Sequence, residues 1–290
     1  MRYLRLLRPH QWIKNTFVFV GLLFGHAWND AAKVEGAVAA FVAFCLISSA
    51  VYVFNDLMDR EQDRLHPRKA NRPLASGAVG VPAAVFIMAF CAVAGLGIAF
   101  FMAGWPLIYL AYIVLNVAYS LGLKHVVILD VFIIASGFML RLLAGTSSIG
   151  IVPSQWLLLC GLLLTLFLGF AKRRAELIAL EEASANHRAV LEHYSPALLD
   201  QMITVVASGV LVTYSLYTMS PATVALHGTD RLIYTVPFVL YGMFRYLFLL
   251  HRRGGGGDAA QDLVRDSHLI LAVAGWLMAT VSLLLLRAPG

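Results

Sequence analysis

Asn55, Asp56, Asp59 and Asp63 fall at intervals of three and four residues within NDLMDREQD, so on a helix they share one face. Three like charges on one face repel one another, and a helix end built this way calls for a cation. Oxygen ligands without Cys or His point to Mg2+, which keeps several waters and binds through one or two carboxylates together with substrate phosphates. Arg68, Lys69 and Arg72 follow shortly after and would hold further phosphate oxygens. The plainer reading of so charged a stretch is a solvated cap laced by surface ion pairs. Its position at the mouth of an apolar run, where charges usually mark a substrate path, favours the metal and phosphate chemistry.

Other ionisable residues give weaker signals, each with two readings. Lys14 and Asn15 open the first apolar run, where they either meet a lipid phosphate or, for Lys14, snorkel at the interface. Lys124, five residues after Tyr119, either reaches a substrate phosphate or is an ordinary basic flank. Asp130 lies a few residues into an apolar run, where an acid is costly unless paired; it either orients Lys124 or contacts substrate. Arg141 sits about ten residues deeper and costs about 2.5 to 3.5 kcal/mol at mid-membrane, unless it faces the interior or snorkels toward the outer interface. Arg245 is a similar case, read as a helix-packing residue. Lys172, Arg173 and Glu176 share a helical face, with Glu176 spaced to pair with Lys172; by themselves they read as a solvated charge run. The His residues show no metal-binding spacing.

Whatever chemistry these residues perform must be positioned by apolar helices. Of 290 residues, 60% are hydrophobic and 13% charged, with a mean hydropathy of +0.78, against about 25% charged residues in ordinary soluble domains. That composition belongs to an integral membrane protein. Nine apolar stretches recur, near 15–29, 37–54, 81–103, 105–122, 127–146, 154–171, 201–222, 231–250 and 268–286. Most approach the roughly 20 residues a helix needs to cross about 30 Å of hydrocarbon. They are continuously apolar, without the alternation of a barrel strand, so the expected fold is all-α: nine transmembrane helices in a single polytopic domain over 1–290.

With nine spans, 17 of the 22 Lys and Arg residues lie on the side of the N-terminus, three on the other side and two within spans. The positive-inside bias therefore puts the N-terminus in the cytoplasm and the C-terminus outside, in a cytoplasmic membrane. The long polar segments 55–80 and 172–199 then both face the cytoplasm and cap the site. A net charge of +6 faces anionic headgroups and makes no case for nucleic acid. RYLRLLRPHQWIKN has the basic flank of a signal peptide but no convincing small-residue cleavage site, and is expected to stay in the mature chain. Cys45, Cys91 and Cys160 fall inside spans and read as small buried apolar residues. No feature of the sequence sets an oligomeric state.

NDLMDREQD resembles the first aspartate-rich motif, NDxxDxxxD, of the UbiA superfamily of membrane prenyltransferases, and RPHQWIKN at 8–15 resembles the start of that superfamily's first helix. The resemblance runs through the whole chain. It implies a UbiA-like bundle around a cytoplasm-facing site, with Asp56, Asp59 and Asp63 holding diphosphate through Mg2+. Conventional members carry a second aspartate-rich motif after the sixth span. Here AKRRAELIALEEASANHRAVLEHYSPALLDQ contains no DxxxD and offers Lys172, Arg173, Glu176, Arg188 and Tyr194 instead.

That segment, with YSLGLKHVVILDVFIIASGFMLRLLAG at 119–145, is similar to the decaprenyl-phosphate phosphoribosyltransferase branch. The likeness implies transfer of 5-phosphoribose from 5-phosphoribosyl 1-diphosphate to a polyprenyl phosphate, with release of diphosphate, on the way to arabinose donors for the cell envelope. It also implies a phosphoribose-binding role for Lys172, Arg173 and Glu176, and substrate contacts for Lys14, Asn15, Tyr119, Lys124, Asp130 and Arg141. An acceptor phosphate is already an anion, so catalysis rests on placement and electrostatics and no general base is assigned. Two other readings compete: a conventional prenyltransferase moving a prenyl group from its diphosphate to an aromatic acceptor, and a transporter whose charged loops gate an ion route.

Overall fold

The computed structural model describes residues 2–65, 69–102, 104–183, 193–252 and 265–286, and every regular element among them is helical. In chain order these are α1 (Arg2–Leu7), a 3-10 segment (Pro9–Phe19), α2 (Val20–Phe24), α3 (Ala31–Met58), α4 (Arg60–Leu65), α5 (Val81–Phe101) and α6 (Pro106–Leu121). A 3-10 turn (Leu123–His125) precedes α7 (Leu129–Ser148), α8 (Gln155–Ala183), α9 (Pro196–Met219) and α10 (Pro221–His227). A second turn (Arg231–Thr235) leads into α11 (Val236–Arg252), and α12 (Ser267–Leu285) follows. The chain forms two compact units, one of residues 1–124 and 136–153, the other of residues 125–135 and 154–290.

In the first unit, α3 begins where Asp30 accepts hydrogen bonds from the backbone N–H groups of Ala32 and Lys33, satisfying donors that a helix start leaves open. Its buried face is built of small residues, Ala39, Ala40, Ala43, Cys45, Ser48 and Ser49, which lets neighbours approach closely. A Cβ on Gly95 of α5 would lie 2.7 Å from Cγ1 of Ile47, and one on Gly145 of α7 would lie 1.9 Å from the carbonyl oxygen of Val18. Lipid tails are as apolar as side chains, so such close packing, together with interhelical hydrogen bonds, holds these helices together. Phe44, Ile47, Val51, Tyr109 and Tyr112 fill the core between them. A smaller cluster of Leu6, Val53, Leu74, Val79 and Ala84 ties the segment after α4 down onto α1, α3 and α5.

In the second unit, α8 and α9 pack along their lengths. Phe167, Phe170, Leu199, Ile203, Tyr246, Leu250 and Leu269 form its core with Val131 of α7. The Ser195 hydroxyl caps α9 by accepting from the N–H of Leu198.

Seven of the described helical stretches are long and apolar enough to cross a membrane: α3, α5, α7, α8, α9, the stretch from Arg231 to Arg252, and α12. Two of the nine expected spans differ. The stretch at 15–29 is divided between the 3-10 segment and the five-residue α2, and α6 has 16 residues, about 24 Å of helix. Apolar composition marks both as lipid-compatible but does not decide whether the backbone runs as one long α-helix. Phe86, Phe90 and Val93 on α5 are largely exposed, as suits a face turned to hydrocarbon. Two boundaries also move: α3 runs past the expected span end at 54 to include Asn55 and Asp56, and α8 carries Lys172 to Glu176 well inside a continuous helix.

Candidate active site

Asp59 ends α3, yet its N–H still bonds to the carbonyl of Asn55 at 2.9 Å, and the N–H of Asp63 bonds to the carbonyl of Asp59 at 2.8 Å. The i to i+4 repeat is thus carried across the junction between α3 and α4, as the spacing predicts. Asp56 and Asp63 are each only 2% exposed. Burying a carboxylate without a partner is costly, and here the partners are internal cations. Arg72 Nη1 donates to Asp56 Oδ1 at 3.1 Å and to Asp63 Oδ2 at 2.6 Å. Arg8 also donates to Asp56, and Lys69 Nζ stands 3.9 Å from Asp63 Oδ1.

Asp59 stands apart, taking a hydrogen bond from Lys124 Nζ at 2.9 Å, while Asn55 accepts from the hydroxyl of Ser120. Arg72 is aimed by the turn around it. Buried Leu74 anchors that turn, its Ser76 N–H bonds the Arg72 carbonyl, and Arg60 and Arg64 donate to the Leu74 and Ala75 carbonyls.

The expected three-carboxylate metal set is not assembled: among the described residues no three His, Cys, Asp or Glu side chains gather into a metal-binding group. What the fold does bring together is the pair Asp56 and Asp63, whose oxygens converge on one positively charged nitrogen. Hard oxygen donors that already share a cationic centre fit a divalent ion such as Mg2+. Asp59 is occupied by Lys124 and belongs to that pair's surroundings.

Several other expectations are corrected. Asn15 is fully buried, so it does not meet a lipid headgroup; its amide donates to Ser48 Oγ at 3.2 Å and to Cys45, and its oxygen accepts from Arg141 Nε at 2.7 Å. Trp12, in the same 3-10 segment, donates to Ser49 at 3.0 Å. Arg141 does not snorkel: it is 4% exposed, donates to the Gly137 carbonyl and the Tyr112 hydroxyl, both at 2.8 Å, and stacks against Phe44, Tyr112 and Phe138. Its hydrogen-bond partners are all neutral, so the cation is stabilised by dipoles and aromatic faces. Lys14 is exposed and Tyr119 half-buried.

The second unit holds another buried network. Arg173 Nε donates to Asp130 Oδ2 at 2.6 Å, and both residues are almost wholly buried. Asp130 therefore pairs with Arg173, and does not orient Lys124, one of the two readings its position allows. Arg173 also engages Glu176, in place of the Lys172–Glu176 pair that the spacing suggests, and Lys172 is exposed. The Tyr194 hydroxyl donates to Asp130 Oδ1 at 3.2 Å and accepts from the N–H of Ile128 at 2.6 Å. Burial pushes that phenol up to about 12; the Ile128 bond opposes the rise, and the Asp130 charge adds to it. Arg174 pairs with Asp200, and Arg245 makes two bonds to Asp266, at 3.1 and 2.8 Å. Arg68 and Arg188 lie outside the described residues.

Arg8, Ser120 and Tyr112 are the site residues that the sequence reading missed. Arg8 falls within RPHQWIKN, where its place beside a proline at the head of an apolar run is the signal available in the sequence. Ser120 falls within the segment 119–145 that carries the resemblance, and Tyr112 carries no signal.

The family described as the UbiA prenyltransferase family matches residues 16–264. Among curated proteins, the decaprenyl-phosphate phosphoribosyltransferase of Corynebacterium glutamicum is 33% identical over 288 residues, covering 96% of this chain and 85% of that one. Its namesake from Mycolicibacterium smegmatis is 33% identical over 288 residues, covering 94% and 89%, and that of Mycobacterium tuberculosis H37Rv is 32% identical over 283 residues, covering 96% and 92%. Among solved structures, a UbiA homolog from Archaeoglobus fulgidus bound to DMAPP and Mg2+ superposes with a TM-score of 0.74 at 18% identity over 99% of this chain and all of that one. The same homolog bound to GPP and Mg2+ gives 0.73. At that identity the likeness is one of fold.

Proposed function

The chain belongs to the UbiA prenyltransferase family and is a transferase, and from that premise we propose that it moves 5-phosphoribose from 5-phosphoribosyl 1-diphosphate to the phosphate of a polyprenyl lipid. The observation that carries the reading is its likeness, along nearly its whole length, to enzymes named for that transfer. The buried pair Asp56 and Asp63, ringed by Arg8, Lys69 and Arg72, supplies the matching chemistry. In the reaction an oxygen of the acceptor phosphate bonds to the anomeric carbon as the carbon–oxygen bond to diphosphate breaks, and diphosphate leaves with the bonding electrons.

A divalent cation held by Asp56 and Asp63 would neutralise charge on the departing diphosphate. Arg8, Lys69, Arg72 and Lys124 bind and orient phosphate oxygens around these acids, and Asn55, held by Ser120, keeps the end of α3 in register. A phosphate acceptor attacks as an anion, so no residue has to remove a proton from it. Catalysis then rests on positioning and preorganised charge.

On this reading the protein works as one polytopic domain of the cytoplasmic membrane, with its N-terminus inside and its C-terminus outside. It crosses nine times, with Pro9–Phe24 and α6 making the two crossings that lack a long α-helix. Lys172 and Arg173 remain proposed phosphate contacts. Arabinose-donor synthesis for the cell envelope is the proposed use of the product.

The test is a mass measurement of lipid formed in membranes containing the protein, given labelled 5-phosphoribosyl 1-diphosphate, polyprenyl phosphate and Mg2+. Labelled phosphoribosyl lipid and diphosphate are expected only when all three are present. Prenyl transfer from a prenyl diphosphate to an aromatic acceptor, with no phosphoribosyl lipid, would overturn the reading in favour of a conventional prenyltransferase.

A further inference from the structure

Arg72 differs from the other cations of the acidic cluster in that one of its nitrogens, Nη1, serves two buried carboxylates at once, Asp56 at 3.1 Å and Asp63 at 2.6 Å. Arg8 reaches only Asp56, and Lys69 reaches only Asp63, at the longer distance of 3.9 Å. Two buried carboxylates facing the same point repel each other unless positive charge stands between them. The side chain of Arg72 is 29% exposed while those of its two acids are 2% and 3% exposed, so its guanidinium comes in from the solvent side. With Lys69 beside Asp63, the group of Asp56, Asp63, Arg8, Lys69 and Arg72 already carries one net positive charge. Adding a divalent cation leaves the group three charges positive, and only an anionic ligand restores the balance.

We infer that Arg72 is a displaceable internal counter-ion: it occupies the place between Asp56 and Asp63 that a divalent cation competes for, and cation binding frees its guanidinium to hold a phosphate of the donor. The inference rests on the proposed function's placing of metal and diphosphate at these acids. Metal alone then binds weakly because it must break two charge-assisted hydrogen bonds. Metal and diphosphate bind cooperatively because the diphosphate takes up the arginine that the metal releases, and by linkage each tightens the other by the same factor.

The experiment titrates Mn2+ into the purified full chain in detergent, without any donor, and reads free Mn2+ by electron paramagnetic resonance. Arg72→Gln is expected to bind Mn2+ about tenfold or more tightly than the native chain, one charge-assisted bond or more no longer having to be broken. Inorganic diphosphate is expected to tighten Mn2+ binding strongly in the native chain and much less in the variant. Arg5→Gln removes the same charge from exposed Arg5 on α1, which takes no part in the turn that aims Arg72, and should leave the affinity within about twofold, exposed charges being largely screened. Equal or weaker Mn2+ binding in Arg72→Gln, or an equal gain in Arg5→Gln, overturns the inference.

If Arg72→Gln does not fold, the native chain carries the test through phenylglyoxal labelling followed by peptide mass mapping. Labelling of Arg72 should accelerate when Mg2+ is added and slow again with Mg2+ plus diphosphate; an unchanged rate overturns the inference. Neither readout involves phosphoribosyl transfer. Failure here therefore leaves the lipid-product test standing, and failure of that test leaves the competition at Asp56 and Asp63 measurable.

Discussion

Arg141 donates from Nε to the side-chain oxygen of Asn15 at 2.7 Å, across 126 positions of sequence. Two opposing effects decide what that contact is worth. A cation at mid-membrane costs about 2.5 to 3.5 kcal/mol, whereas deleting it leaves the Asn15 and Tyr112 oxygens without their donor, at about 1 to 3 kcal/mol each, and removes the cation–π contacts with Phe44, Tyr112 and Phe138. Together these losses outweigh the relieved charge, so Arg141→Met is expected to destabilise the protein by about 2 kcal/mol. Asn15→Leu leaves the cation buried without its Nε acceptor and should cost about 3 kcal/mol. The double variant should cost less than the two singles together, and thermal unfolding in detergent reads all three.

Asp63→Asn removes a charge from the pair that converges on Arg72 while keeping its shape. Turnover measured by diphosphate release is expected to fall by about 100-fold or more, the scale seen when one preorganised electrostatic group is removed. Native-like activity would count against a role for Asp63 in holding metal or diphosphate.

Asp59 and Lys124 are partly exposed, at 32% and 18%, so their ion pair contributes at most about 1 kcal/mol to stability. Asp59→Asn and Lys124→Met should unfold near the native temperature. Their effect is expected in kinetics: a raised KM for the phosphoribosyl donor in Lys124→Met, checked by varying donor at saturating acceptor.

The Asp130–Arg173 pair has the opposite character. With Asp130 fully buried, Arg173→Met strands a carboxylate in the interior and is expected to cost about 3 to 5 kcal/mol, read as a large fall in the unfolding midpoint. Exposed Lys172 is the informative neighbour. Lys172→Met should shift stability by less than about 0.5 kcal/mol, so any loss of turnover it causes reports on substrate.

Acid sensitivity has a definite location at the start of α12. The Arg245 guanidinium, helped by the Leu269 N–H, holds the Asp266 carboxyl at about 2, against burial that pushes the other way. A depressed carboxylate contributes stability that is present above its unfolded value of about 3.9 and is lost as pH falls through the folded value. Native and Arg245→Gln proteins should therefore differ by a constant amount from about pH 7 to pH 5 and converge between about pH 4 and pH 2. Unfolding midpoints across that series check it.

Periodicity and composition made much of this protein readable in one dimension. The apolar runs made it an all-helical membrane chain, and the spacing of Asn55, Asp59 and Asp63 pointed to a helical repeat, which the bonds from the Asp59 and Asp63 N–H groups to carbonyls four residues back continue, although Asp59 meets Lys124 while Asp56 and Asp63 are buried against Arg72. Both are local properties: hydrophobic length matches a bilayer thickness, and each helical hydrogen bond closes over four residues. The sequence did not reveal that the first apolar run divides into a 3-10 segment and a short helix.

Which cation meets which acid was decided only in three dimensions. Arg8 reaches Asp56 from 48 positions away, Lys124 reaches Asp59 from 65, and Arg173 takes Asp130 from 43. Such pairings depend on how closely helix faces approach, as at Gly145 against Val18 and Gly95 against Ile47, and charge alone makes many cations equally eligible. Packing selects among them because a buried acid must be matched by whichever cation the fold brings within hydrogen-bond reach.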